Sequence, residues 1–127
     1  MNYLLDTHTV IWMVEDSPQM PPKVKEIIKD PKNNISICAV SIWEMAIKMN
    51  IGKLDLKLTL DDLISELRIS DFGYLQIEDD YLRCLSELPL LHKDPFDRLI
   101  IATAMVENMT IITIDENIQK YNVMWDW

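Results

Sequence analysis

The stretch LHKDPFDRLIIATA at residues 91–104 decides how this chain is read. Asp94 and Asp97 stand three apart, Pro95 follows the first of them, and an apolar run begins at Leu99. That spacing predicts a helix start, with Asp94 as N-cap, Pro95 at the first helical position and Asp97 at the third. An N-cap carboxylate accepts backbone N–H groups that the helix leaves unpaired, and proline loses nothing where the N–H has no partner. In the first turn, Asp97 lies where the positive end of the helix dipole favours its ionised form. By itself the stretch is a well-capped helix reaching about residue 107. Three more acids at comparable punctuation points give it a second meaning.

Outward from that helix, apolar runs alternate with amphipathic segments. Residues 2–5 form a short apolar run ending at Asp6, a first strand with that acid at its carboxyl end. Residues 7–14 read as a helix, and Pro22 opens a second helix to about Lys29. Asp30-Pro31-Lys32-Asn33-Asn34 is a turn signal, and the run at 35–40 is a second strand. Ser41-Ile42-Trp43-Glu44 fits a capping box at the head of a helix to about Met49, closed by Gly52. After a linker, the pattern predicts a helix from Thr59 to about Ile69, a short strand at 73–77 and a helix at 78–88. Beyond the opening stretch lie a β-branched strand at 110–113, a helical turn at 116–120 and a last strand at 123–125. Strands alternating with helices imply right-handed crossovers and a three-layer α/β/α fold, its mainly parallel sheet flanked by helices.

At 127 residues the chain reads as a single domain over 1–127, with enough length for one sizeable core. Hydrophobic residues make up 49% and charged residues 26%, which sets it apart from disordered chains. The longest apolar run is far too short to span a bilayer, and the amino terminus has no basic segment leading into a signal-type run. A soluble, cytoplasmic protein is the expectation. Cys38 and Cys84 lack metal-ligand spacing and read as buried free thiols. The net charge of −9 gives no global pull on nucleic acid; it suits a basic protein partner or a metal-loaded site. Lys23, Lys25, Lys29 and Lys32 read as a solvated helix face.

In open parallel sheets, sites form at the carboxyl ends of the strands. Asp6 follows the first strand, Glu44 lies within a turn of the second, and Asp115 follows the strand at Ile111-Ile112. Asp97 opens a helix that packs on such a sheet. Each acid has a plain structural reading: Asp6 as a helix N-cap, Glu44 as part of a capping box, Asp115 as a turn former. Four carboxylates converging in one pocket would repel one another, and a hard divalent cation removes that penalty. Mg²⁺ or Mn²⁺ fits carboxylates and water better than zinc does. Such a site suits metal-assisted hydrolysis of a phosphodiester, with one or two ions about 4 Å apart.

Other chemistries lack their residues. With only Gly52 and Gly73 there is no glycine-rich phosphate loop, and no serine sits in a nucleophile elbow. His8 and His92 lack zinc-ligand spacing and read as surface or packing residues. Trp12, Trp43, Trp125 and Trp127 read as core and edge aromatics.

Four segments together resemble the PIN-domain nucleases, and most closely the VapC-like toxins of bacterial toxin–antitoxin pairs. They are NYLLDTHTVIW at 2–12, SIWEMAIKMNIGKL at 41–54, HKDPFDRLIIATA at 92–104 and IITIDENIQKY at 111–121. The resemblance spans essentially the whole chain, with the motifs in the right order and spacing. It implies that Asp6, Glu44, Asp97 and Asp115 form an acidic metal-binding quartet, with Thr7 and Thr113 in support. It also implies Mg²⁺- or Mn²⁺-dependent endoribonuclease activity, a homodimer, and inhibition by a cognate antitoxin. In such pairs the antitoxin's tail often places a basic side chain in the acidic pocket. Asp94 keeps a structural role as N-cap. RNA contact then falls to bound metal and to Lys48, Lys53 and Arg98, although Arg98 is expected to pair with a neighbouring carboxylate.

Two rival readings differ in class. A phosphoryl-transfer domain of receiver or phosphatase type shares the length and the Asp after the first strand. It needs an acidic pair or D-x-D there, whereas Asp6 is followed by Thr7 and His8. A non-catalytic binding module of the same fold needs no further residue at all.

Overall fold

The computed structural model describes residues 1–127. In chain order its elements are β1 (Asn2–Leu5), α1 (Thr7–Val14), α2 (Pro22–Lys29), β2 (Asn34–Cys38), α3 (Ala39–Asn50) and α4 (Leu60–Ile69). There follow β3 (Gly73–Leu75), α5 (Asp79–Glu87), α6 (Pro95–Glu107), β4 (Thr110–Ile112), α7 (Glu116–Gln119) and β5 (Trp125–Asp126). The strands form one sheet in the order β3-β2-β1-β4-β5, every neighbouring pair parallel. The expected α/β/α fold is therefore present, with a sheet that is wholly parallel.

Parallel strands buried on both faces need apolar side chains in both directions, and β1 and β4 supply them. Tyr3 and Leu5 point to one layer with Val10, Val24, Met45, Leu63 and Leu67 from α1 to α4. Leu4 and Ile111 point to the other, packed on Tyr81 of α5 and Leu99, Ile100, Ile101 and Ala104 of α6. Cys38 belongs to this second core, while Cys84 is only half-buried; both thiols are free. No helix is long and apolar enough to cross a membrane.

Local chemistry sets most helix ends. Asp94 caps α6, its Oδ1 accepting from the backbone N–H groups of Phe96 and Asp97 at 2.9 and 3.1 Å, with Pro95 at the first position. Thr59 caps α4 in the same way. Gly52, just past α3, has φ +75°, a left-handed conformation that a Cβ would strain.

The capping box at Ser41 does not form. Strand β2 runs straight into α3 through Cys38, so the helix starts three residues earlier than a Ser41 cap would place it, and Ser41 already lies inside it. Cys38 provides no side-chain cap. Fully buried, Ser41 instead accepts a hydrogen bond from Thr7 Oγ1 at 3.0 Å, which ties α3 to α1. Two strands also shift. The 73–77 run pairs only over Gly73–Leu75, and the last strand is Trp125–Asp126, set by Ile111 N–H donating to Met124 O and Thr113 N–H to Asp126 O.

Leu5 is fully buried one residue before Asp6 and pairs with both neighbouring strands. Leu5→Ala is expected to cost about 3 kcal/mol, read as a lowered midpoint in chemical denaturation of the purified protein.

Candidate active site

Strand register builds the first half of the site. Leu5 stands opposite Ile37 on one side and Ile112 on the other. The next residue of each outer pair, Asp6 and Thr113, therefore meets at the carboxyl edge. Thr113 Oγ1 donates a short hydrogen bond to Asp6 Oδ2 and accepts from the Asp115 backbone N–H at 3.0 Å. Asp6 is also the N-cap of α1: its Oδ1 accepts from Thr9 N–H at 2.8 Å, and the Thr9 hydroxyl lies 2.6 Å away. The acid is 2% exposed. Burial raises its pKa, and the Thr113 and Thr9 hydrogen bonds act against that rise.

Helices bring in the other acids. Glu44 lies on α3 one turn beyond Ser41, is 5% exposed, and meets Lys48 Nζ through Oε2 at 2.6 Å. Asp97 sits in the first turn of α6, and Asp94 caps that helix. Asp115 caps α7, its Oδ1 accepting from Asn117 N–H at 2.8 Å. All five carboxylates, Asp6, Glu44, Asp94, Asp97 and Asp115, line one pocket with Thr7 and His8, and Lys48 is its one lysine or arginine. Asp94 thus caps a helix and adds a fifth acid to the four expected. The plain readings and the functional ones coincide at Asp6 and Asp115, since an N-cap at a strand's carboxyl end faces the same edge as the site.

The charges are visibly unbalanced. The Asp97 carboxyl is pushed up to about 8, first by burial and then by Asp94, Asp115, Glu44 and Asp6 in turn. Glu44 Oε1 is buried without a hydrogen-bond partner, an arrangement that costs free energy unless something fills it. No three acidic, histidine or cysteine side chains stand close enough together to hold a metal ion as they are. The donor set nevertheless fits a hard divalent cation: oxygen ligands only, an excess of negative charge and one unsatisfied buried oxygen.

His92 packs edge-on against Tyr121 at 5.4 Å, as a packing residue would, and its ring also reaches Asp97 of the site. The Tyr121 hydroxyl accepts from His92 N–H at 3.2 Å and from Arg98 Nη1 at 2.9 Å, so its own hydrogen is left for His92 Nδ1 at 2.8 Å. By that count Nε2 carries the ring hydrogen, and it faces Asp97 Oδ2 at 3.3 Å. Arg98 is fixed by the carbonyl oxygens of Pro89 and Leu88 and pairs with no carboxylate, which corrects the ion pair expected for it. Arg98, Tyr121 and His92 form a strut that reaches Asp97. Four residues and a helix start separate His92 from Asp97, and Tyr121 lies further on still, so no local pattern signals this contact. Thr9 was legible in principle, since it stands three residues after an N-cap acid.

His8 also borders the pocket, with its ring edge-on to Trp12 at 4.7 Å. Trp43 is not a core residue: it is 54% exposed and meets Phe96 edge-on at 5.0 Å. Lys23, exposed as expected, also bonds Asp126 at 2.7 Å, which lowers the Asp126 pKa.

The raised Asp97 pKa makes stability depend on pH in a stated direction. With 3.8 as its ordinary value and about 8 in the folded protein, Asp97 binds its proton more tightly when folded. Its contribution is fully present below about 3.8 and is lost as pH rises through about 8. In EDTA, Asp97→Asn is therefore expected to melt higher than wild type at pH 8.5, with the gap closing as pH falls towards 4; thermal denaturation across pH checks this.

No curated protein matches the chain. Among solved structures, it is similar to a chain of the VapBC2 structure from Rickettsia felis bound to a DNA fragment from its promoter, at a TM-score of 0.75 and 18% identity, covering 100% of this chain and 99% of that one. It is similar to a chain of DNA-bound VapBC from Salmonella typhimurium at a TM-score of 0.74 and 14% identity, covering 99% and 97%. A toxin–antitoxin complex from Klebsiella pneumoniae matches at a TM-score of 0.55 and 22% identity, covering 89% of this chain and 86% of that one. At these identities the likeness speaks for the fold. The family model for the PIN domain matches residues 3–123, nearly the whole sequence, and on that match the chain belongs to the PIN-domain family.

Proposed function

We propose that this chain is a Mg²⁺- or Mn²⁺-dependent endoribonuclease, the toxin of a toxin–antitoxin pair, acting in the cytoplasm as a homodimer and neutralised by a cognate antitoxin. PIN domains are generally nucleases. The observation that carries the reading is the pocket itself: five carboxylates, one of them pushed up to about 8 by burial and then by the neighbouring acids, and another with an orphaned buried oxygen.

Asp6, Glu44, Asp97 and Asp115 would hold the ion. A divalent cation there supplies the charge that activates water and stabilises the attacking and leaving oxygens of a phosphodiester. The protein's own part is orientation. Thr9 and Thr113 fix both oxygens of Asp6. The His92 Nε2–H steadies Asp97. Carboxylate ligands held by such neighbours keep their direction. RNA, itself anionic, is repelled by the acidic chain until the ion is in place, whereas a basic antitoxin segment is drawn to the same pocket. The toxin–antitoxin complex among the structural neighbours supports that partner.

The test is cleavage of a cellular RNA pool by purified protein in Mg²⁺, Mn²⁺ or EDTA, with Asp6→Asn and Asp97→Asn in parallel. Metal-dependent cutting by wild type and its loss in both folded variants is the expected result. Cutting that survives in Asp6→Asn, or that ignores EDTA, would overturn the reading. In the same buffers, millimolar Mg²⁺ is expected to raise the melting temperature of wild type, because the ion binds only the folded state.

A further inference from the structure

The acidic pocket carries one ammonium of its own. Lys48 Nζ lies 2.6 Å from Glu44 Oε2, one helical turn along α3. Unlike a surface pair, this one joins a buried acid to a base at the rim: the Glu44 side chain is 7% exposed and that of Lys48 42%. Glu44 is the one acid in contact with the ammonium, and its hydrogen bond raises the Lys48 pKa most, with the charges of Asp94 and Asp97 adding to it. The other oxygen of Glu44 has no partner.

A divalent ion on Glu44, whose Oε1 is free, would repel an ammonium 2.6 Å from Oε2 and draw off the carboxylate charge that holds it. Lysine is suited to yielding the place: its four-carbon stem is flexible, and its half-exposed head regains water when it leaves. We propose that Lys48 is an internal counter-ion which neutralises Glu44 in the free protein and is displaced towards solvent when a divalent metal ion binds. This rests on the metal-dependent reading given above. Two consequences follow from the geometry. The metal-free pocket keeps one of its acids neutralised, and metal binding is weakened by the fraction of molecules in which the lysine holds Glu44.

Two measurements test it together. Isothermal calorimetry with Mn²⁺ compares wild type, Lys48→Met and Lys48→Arg. Lys48→Met is expected to bind roughly tenfold more tightly, because the competing positive charge is gone, while Lys48→Arg stays near wild type. In wild type, the ¹⁵N ammonium resonance of Lys48, kept visible by the ion pair, is expected to disappear into exchange with water as Mg²⁺ is added. Equal or weaker Mn²⁺ binding by Lys48→Met overturns the proposal. So does an ammonium signal that persists at saturating Mg²⁺, and this wild-type measurement decides the matter alone if Lys48→Met does not fold. Absence of Mn²⁺ binding in all three folded proteins overturns the metal reading itself, and the counter-ion proposal with it.

Discussion

Five carboxylates share one pocket, and keeping like charges together is the constraint around which this structure is arranged. Each acid has its own offset. Asp6 has the Thr9 and Thr113 hydroxyls, Glu44 has the Lys48 ammonium, and Asp97 has the His92 ring. Asp94 and Asp115 accept backbone N–H groups at helix starts, where the dipole also favours negative charge. The offsets are incomplete, as the raised Asp97 carboxyl and the unpartnered Glu44 oxygen show. What remains is a standing attraction for a cation.

The acids come from distant parts of the chain because the sheet gathers its strand ends at one edge. With β1 between β2 and β4, the residues that follow those strands are neighbours whatever their separation in sequence. Asp6 and Thr113 touch across 107 positions for that reason alone. The sheet demands only apolar side chains of suitable size on both faces, and many sequences meet that demand. Structures at 14–18% identity can therefore share the fold across nearly their full length. The chemistry lies in the few side chains at the edge, so the fold by itself identifies no substrate.

Helix starts serve two purposes here. An acid at an N-cap satisfies backbone donors, and when the helix follows a strand the same acid faces the carboxyl edge of the sheet. Asp6 and Asp115 do both, so their structural and chemical readings were never alternatives. Ser41 shows the opposite outcome. Its S-x-x-E pattern is genuine, but β2 passes directly into α3 and leaves no cap position for it, so the serine binds Thr7 and Glu44 is free to meet Lys48.

The sequence by itself determined the alternation of strands and helices, the cap at Asp94, the Gly52 helix end and the four acids at punctuation points. These are local matters: backbone donors seek nearby acceptors, and apolar periodicity follows the geometry of each element. Only the tertiary structure decided that Asp94 joins the acids, that His92 reaches Asp97 through the support of Tyr121 and Arg98, and that Lys48 is the pocket's own cation. It also decided the register that starts α3 early and begins the last strand two residues later. Such contacts depend on which surfaces are brought face to face and on the burial that then raises or lowers each charge. Neither quantity is a property of a short stretch of chain.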